Sequence, residues 1–375
     1  MQRITDIAAL QKRATALESR TTAVEAKNDA QGTARGALDT RAATLEASMA
    51  DLWRIYNESE IPPVPPPGGV VYNVMDYGAV HNGSTDDSTA INNAITAANA
   101  AGGGTVYLPA GTYRVAYDGQ TNYPSSNSYA ASILLKSNVV VKGEGRTVTK
   151  IMRAGSGWVS AFGARSVIDN WGLEDLRVDT NAGSSHNGDD GIKMFGATNG
   201  HFTNVDIAAT AGYEFNTTYM LYGCRNVTFT NCTSTGVAGN IGGFCVAQWD
   251  EDAGCRNTQN ISFVGCTSTV PADNGLPYGF AIYGRDFGYA NPINRMTGIT
   301  LQNCTVNGAP SGVYMQWCSG PTVIDNNLTS VSGWKYYILN TDNLWFPYPS
   351  GAVNKSGGVA VDYTNGGSVT ERGSL

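Results

Sequence analysis

Three groups of residues in this 375-residue chain have types and spacings that could do chemistry. The stretch HNGDDGIKM, residues 186–194, places Asp189 and Asp190 side by side ahead of a short apolar strand. Paired carboxylates can protonate a leaving oxygen and activate water, the chemistry of glycosidic-bond cleavage. Glu214 is the one further acid that a neighbouring repeat would bring close to them. Asp86 and Asp87 form a second acidic pair, just ahead of an amphipathic stretch, and read as the cap of a helix. The third group lies in two long segments, AQWDEDAGCRNTQN (247–260) and YGRDFGYANPINRMTG (283–298). These bring Trp249, Asp250, Glu251, Asp252 and Arg256 beside Arg285, Asp286, Tyr289 and Arg295. Aromatic rings can stack on sugar faces, and the acids and arginines can hydrogen-bond hydroxyls or carboxylates.

A repeat must hold these groups in place. LEDLRVD (173–179), FTNVDIA (202–208), FTNCTST (229–235), FVGCTST (263–269) and LQNCTVN (301–307) align without gaps. Their fourth positions are Leu176, Val205, Cys232, Cys266 and Cys304, a solenoid-like period with insertions. The three cysteines therefore read as a buried thiol ladder, and Cys224, Cys255 and Cys318 as structural too. A second strand recurs as GIKM, TYML, GFCV, GFAI and GVYM. Alternation turns Ile192, Tyr219, Phe244, Phe280 and Val313 inward and Lys193, Met220, Cys245, Ala281 and Tyr314 outward. That outward column holds no carboxylate, and the two long segments are insertions on adjacent coils. Loops on a rigid scaffold are where function usually resides, so residues 247–260 and 283–298 are the expected glycan-binding region. Ordinary solvated loops or oligomer contacts are the alternative there, and a lyase site with Ca²⁺ held by the acids and Arg as base is another.

Residues 1–60 read as a helical stalk. Heptad position a carries Ile7, Ala14, Thr21, Asn28, Arg35, Ala42, Met49 and Tyr56. Position d carries Leu10, Leu17, Val24, Gln31, Leu38, Leu45 and Leu52. The pairs Arg13/Glu18, Arg20/Glu25 and Arg41/Glu46 are opposite in sign from g to the following e, as in a parallel self-associating coiled coil. The seam itself does not separate dimer from trimer; a homotrimer is the expectation. IPPVPPPGG, residues 61–69, is a stiff extended joint. Residues 70–340 form the repeat domain and 341–375 a C-terminal cap or tail, opened by the aromatic NLWFPYP.

Composition narrows the partners. Charged residues are 15% of the chain and the formal net charge is −7, which speaks against a nucleic-acid surface. No apolar stretch reaches membrane-spanning length, and MQRITDIAAL lacks the pattern of a secretory signal, so synthesis in a cytoplasm without export is expected. Seven cysteines with no CxxC pair and three histidines make a zinc site an unlikely use of the chain, and neither metal nor cofactor is expected.

The stretch VYNVMDYGAVHNGSTDDSTAINNAITAANAAGGGTVYLPAGTYRV, from Val71, resembles the amino-terminal signature of the pectate-lyase-like right-handed parallel β-helix superfamily. SILLKSNVVVKGEGRTVTKI resembles its next coil, and the resemblance covers about residues 70–340. It implies an all-β solenoid whose short helix, Thr89 to Ala100, plugs the open end. It implies little about function, because the fold hosts lyases, hydrolases and non-enzymatic phage proteins. NGDDGIKM also resembles the aspartate motif of polygalacturonases. The partner motifs of that family, a second Asp pair, a Gly-His-Gly and an Arg-Ile-Lys, are absent here. Asp189 and Asp190 therefore read as a turn entering a strand in preference to a hydrolase's acids. Stalk, Pro joint and β-helix together resemble a phage tail fibre or tailspike. That resemblance implies a virion protein whose stalk meets other tail or baseplate proteins and whose β-helix faces host surface polysaccharide. A polysaccharide depolymerase of the same build and a purely structural tail component are the alternatives.

Overall fold

The structure, a computed structural model, describes residues 19–20, 69–116, 130–154, 159–164, 166–180, 191–208, 217–236, 242–249, 257–270, 278–285, 295–309, 311–328, 330–331, 336–339, 341 and 359–362. At 249, 284–285, 337, 339 and 359–362 it describes the backbone alone. The chain divides into two units, Met1–Pro62 and Pro63–Leu375. In the first, the described residues Glu18's successors Ser19 and Arg20 are helical; the rest of the expected stalk, the joint at 61–68 and most of 341–375 lie outside the described residues.

Two parallel sheets make up the second unit. Sheet A has 17 strands and sheet B nine, among the described residues. The chain passes from one sheet to the other in every turn. Tyr219, for instance, pairs with Phe244 and Phe244 with Phe280 in sheet B, while Phe202 pairs with Phe229 and Phe229 with Phe263 in sheet A. Neighbouring strands in a sheet are thus one full turn apart in sequence, which is a solenoid.

The interior is two aromatic stacks that meet edge to face. Phe202, Phe229 and Phe263 stack with centroids 4.6 Å apart at each step. Opposite them, Tyr219, Phe244 and Phe280 stack at 4.7 and 4.8 Å. Phe229 meets Phe244 nearly perpendicular, at 87°, and Phe263 meets Phe280 at 74°. The spacing equals the strand separation, so identical side chains in register are forced into stacks. The five inward positions of sheet B expected from the repeat, Ile192, Tyr219, Phe244, Phe280 and Val313, form one continuous register and are all buried.

Each turn bends at left-handed corners. Asp175, Asn204, Asn231, Gly265, Asn303 and Asp325 hold φ between 51° and 64°. A second corner runs through Asn138, Asn170, Asn199, Asn226 and Asn260, with Gly298 next. Asn and Asp tolerate this conformation best among residues with a side chain. Stacked corners also let the amides bond to one another: Asn226 donates to Asn199 at 2.8 Å and Asn260 to Asn226 at 2.9 Å. At Gly298 a Cβ would lie 2.2 Å from the Asn260 amide oxygen, so the ladder closes there on glycine.

The capping helix α1, Ser88–Ala100, starts one residue before its expected position. Its buried face, Ile91, Ala94, Ile95 and Ala98, closes the core. Asn92 acts as a surrogate strand: its amide donates to Ser132 O at 2.9 Å and its carbonyl accepts from Leu134 N at 2.8 Å. Ala130–Leu134 is the terminal strand of sheet B, so this pair of bonds satisfies an edge that would otherwise invite another chain.

Candidate functional site

Asp86 and Asp87 are structural, though not in the way the sequence suggests. Asp87 sits at the helix N-cap but makes no side-chain bond to the helix. Its carboxylate instead accepts from Val80 N at 2.7 Å and His81 N at 3.1 Å, tying down the preceding turn. Asp86 takes over the capping, accepting from Ser88 N at 3.1 Å and Ser88 Oγ at 2.6 Å, and also from Ala116 N. Both carboxylates thus serve to fix the turn and the start of the helix.

The cysteines behave as packing. Cys224, Cys232, Cys245, Cys266, Cys304 and Cys318 are buried free thiols; Cys255 lies outside the described residues. Cys266 Sγ donates to Phe229 O and Cys304 Sγ to Phe263 O, both at 3.5 Å, each reaching to the coil before. Burial pushes the Cys266 thiol far up, and the Cys318 thiol up to about 12, so both stay protonated.

The outer face of sheet B carries the described strands that lead into the two long segments. Lys193, Met220, Cys245, Ala281 and Tyr314 form one outward column in register. The column faces outward as expected, yet Met220, Cys245 and Ala281 are buried there, packed under Tyr222, Tyr278 and Tyr283. Lys193 is also buried, at 5% exposure. Two residues along, Phe195, Tyr222, Ala247, Tyr283 and Gln316 form the next outward column. Phe195 and Tyr222 stack at 5.0 Å, and Tyr278 and Tyr314 at 4.8 Å. Tyr314 OH donates to Gln316 Oε1 at 2.9 Å. Ala247, itself buried, stands in register between Tyr222 and Tyr283, which lie two coils and so about 10 Å apart. In these two columns there is no carboxylate.

At the end of the same strands Trp249 pairs with Arg285 in register. Two residues expected to act together therefore stand on neighbouring strands, one coil apart. Asp250, Glu251, Asp252, Asp286 and Tyr289, like Asp189, Asp190 and Glu214, lie outside the described residues. Tyr222, Tyr278 and Tyr283 were missed in the sequence. Tyr222 and Tyr283 each stand one residue beyond the four-residue repeats TYML and GFAI, so a longer alignment window exposes them.

Two other features are polar without being sites. On the outer face of sheet A, Glu174 bonds His201 Nε2 at 2.8 Å and Lys142 Nζ at 2.8 Å, and Lys142 also reaches Asp175 at 3.2 Å. The His201 ring lies flat over Gly172, where a Cβ would come within 2.3 Å of it. The hydrogen bond from His201, and then Lys142, outweigh burial and hold the Glu174 carboxyl down at about 2. The charges of the cluster are paired with one another. A cavity of about 590 Å³ lies between α1 and the edge of sheet B, lined by Asn92, Asn99, Lys136 and Ser137. Asn92 and Asn99 are committed to backbone carbonyls there and Lys136 to Thr96, so the cavity belongs to the cap. Among the described residues no three His, Cys, Asp or Glu side chains converge as metal ligands, and no helix is long and apolar enough to cross a membrane.

The family model described as rhamnogalacturonase A/epimerase, pectate lyase-like, matches residues 71–277, just over half of the chain. The chain belongs to that family. Among characterised relatives, mannuronan C5-epimerase AlgE3 of Azotobacter vinelandii is 42% identical over 118 residues, 29% of this chain and 6% of the relative. Alginate lyase 7 of the same organism is 38% identical over 131 residues, 32% of this chain and 14% of the relative. The matched stretches are thus a small part of either relative's length. The solved A-module of the A. vinelandii mannuronan C-5 epimerase AlgE6 superposes with a TM-score of 0.51 at 21% identity, over 81% of this chain and 96% of the module. That likeness is one of fold, and it agrees with the parallel β-helix expected from the sequence.

Proposed function

We propose that this chain is a glycan-recognising tail fibre or tailspike of a phage virion, trimeric through its stalk, with the polysaccharide held on the outer face of sheet B. The observation that carries the recognition is that face itself. Its two described columns give stacking rings and a glutamine on a rigid ladder, with no acid among them. Trp249 and Arg285 extend the face from adjacent strand ends, and the acids and Tyr289 of the two long segments supply further hydrogen bonds. The heptad seam, the proline joint and the β-helix support the virion reading, in which the stalk meets other tail proteins. The ligand class is an acidic, uronate-bearing polysaccharide, in keeping with relatives named for mannuronan and alginate.

The same relatives favour a second reading, a polyuronate-modifying enzyme of this build, with Asp189, Asp190 and Glu214 as the candidate acids. One experiment separates the two. Purified full-length chain is mixed with mannuronan, and binding is followed by calorimetry while products are followed by ultraviolet absorbance of unsaturated uronates and by NMR of the C5 centre. Binding without product supports recognition. Turnover establishes the enzyme, and neither binding nor turnover with any acidic host polysaccharide refutes both.

A further inference from the structure

Where the chain leaves sheet B, the coils without long insertions turn through a left-handed residue. In the column of Phe195, Tyr222 and Gln316, the residue that follows each is Gly196, Gly223 and Trp317, with φ of 60°, 61° and 58°. Glycine takes that conformation without strain, whereas a bulky side chain is an outlier in it. Tryptophan is thus kept at a corner that glycine turns freely in two other coils. Outliers of this kind cluster at ligand clamps, so the surroundings of the ring matter.

Trp317 is 4% exposed, too buried for a sugar to stack on it. Its ring instead meets a charge: the Arg295 guanidinium carbon stands over it, 5.3 Å from the centroid. Register brings the two together. Met296 pairs with Cys318, and Met296 N donates to Trp317 O at 3.0 Å, so Arg295 rejoins the scaffold beside Trp317. Arg295 stands at the far end of the long segment that Tyr283 opens, and Tyr283 pairs with Gln316. Gln316 and Trp317 are consecutive, so Tyr283 and Arg295 become neighbours at the border of the outer face of sheet B, although the insertion separates them in sequence.

We propose that Arg295, held over the Trp317 ring, is the group by which this face selects uronate residues over neutral sugars; the inference rests on the reading of the face as glycan-holding. A uronate carries a ring face and a carboxylate on one residue, and Tyr283 and Arg295 offer a ring and a guanidinium side by side. Indole is the best ring for a stacked cation, and a stacked guanidinium keeps its N–H donors at its edge, where they can grip a carboxylate with two bonds. Stacking also removes side-chain freedom before the ligand arrives, so less is lost on binding. Lysine would keep the charge but not the fork. Trp317 is therefore a positioning residue and Arg295 the contact.

The test measures binding of the full-length chain to mannuronan and to carboxyl-reduced mannuronan by calorimetry, with a thermal melt of every variant. Wild type is expected to prefer mannuronan. Arg295→Lys and Trp317→Gly should each weaken mannuronan binding about tenfold, within the range that a stacked cation is worth, and leave affinity for the reduced polymer unchanged. Trp317→Phe keeps a ring under the guanidinium and should stay within about threefold of wild type. Arg295→Lys leaves the buried tryptophan in place, so it decides the matter even where Trp317→Gly fails to fold. Equal wild-type affinity for the two polymers overturns this inference alone. So does an Arg295→Lys variant that binds mannuronan like wild type, or a loss of equal size on both polymers, which marks a merely structural role. A Trp317→Phe variant as weak as a folded Trp317→Gly overturns the positioning by the ring. A wild type that binds no acidic polysaccharide overturns the inference together with the recognition reading.

Discussion

Acid should weaken this protein in part through Glu174. The carboxylate lies between His201 and Lys142, 2.8 Å from each, and its side chain is 23% exposed. The bond from His201 and then the Lys142 ammonium, working against burial, take its pKa from 4.5 to about 2. A carboxyl depressed on folding stabilises the native state above its unfolded pKa, and that stabilisation disappears as pH falls through the folded value. The window is therefore from about pH 4.5 down to about pH 2. At 1.36 kcal/mol per unit the full shift would correspond to about 3.4 kcal/mol; solvent screening at a partly exposed site lowers this to roughly 2 kcal/mol. Urea melts of the wild type and Glu174→Gln, taken at low salt from pH 7 to pH 2, should show the wild type ahead by that amount at neutral pH. The advantage should shrink steadily below pH 4.5 and vanish near pH 2. A gap that stays constant down to pH 2 would mean that shape and hydrogen bonding, not charge, are what glutamine fails to reproduce. No gap at pH 7 would refute the electrostatic account outright.

Phe263→Ala removes a ring stacked on Phe229 and edge-on to Phe244 and Phe280, and should cost about 3–5 kcal/mol in a urea melt. Cys266→Ala should cost about 1 kcal/mol and Cys266→Ser more, through its buried hydroxyl, while thiol reagents label the native protein slowly. Asn92→Ala leaves Leu134 N and Ser132 O on the edge of sheet B without partners, so a loss of about 2 kcal/mol and faster aggregation on storage are expected. In mannuronan calorimetry, Trp249→Ala or Arg285→Ala should weaken binding by about 1 kcal/mol or more, far beyond the combined Asp189→Asn and Asp190→Asn; abolition of a cleavage activity by the aspartate pair, with the loop variants active, would reverse the assignment.

Most of the scaffold was legible because a solenoid repeats its constraints. Alternation alone placed Ile192, Tyr219, Phe244, Phe280 and Val313 inward, and aligning five strands placed Cys232, Cys266 and Cys304 in one buried ladder. The left-handed corners were in the same alignment: its third position reads Asp175, Asn204, Asn231, Gly265 and Asn303, the residue types that tolerate positive φ. Side-chain pairing between coils was not legible. That Glu174 meets His201 depends on the register of two strands 27 residues apart and on the bare backbone of Gly172 beneath the ring. Nor could alternation foretell that Met220, Cys245 and Ala281 would be covered, since their shielding comes from the way Tyr222, Tyr278 and Tyr283 lie over their own and neighbouring strands. Asp87 shows the same limit locally: the helix start was readable, but the rival amides of Val80 and His81 were not.

The architecture itself bears on whether such a chain cleaves what it holds. A glycosidase pair needs two carboxyl groups about 5–5.5 Å apart to retain configuration, or about 6.5–9.5 Å apart to invert it. In a ladder of parallel strands, neighbours in one column stand about 4.8 Å apart and residues two along a strand about 6.7 Å apart, so two columns could supply either geometry with strand-borne acids. Sheet B uses those positions for Lys193, Met220, Cys245, Ala281 and Tyr314 and for Phe195, Tyr222, Ala247, Tyr283 and Gln316. The most rigid positions on the face are therefore given to rings and small residues. Catalytic groups need placement within about 0.5 Å, which strands provide better than connecting segments do. Stacking tolerates far looser placement and gains from a continuous surface. Under the proposed reading such a face suits a chain of sugars lying across several coils, and any cleavage would have to draw its acids from the segments that join the strands.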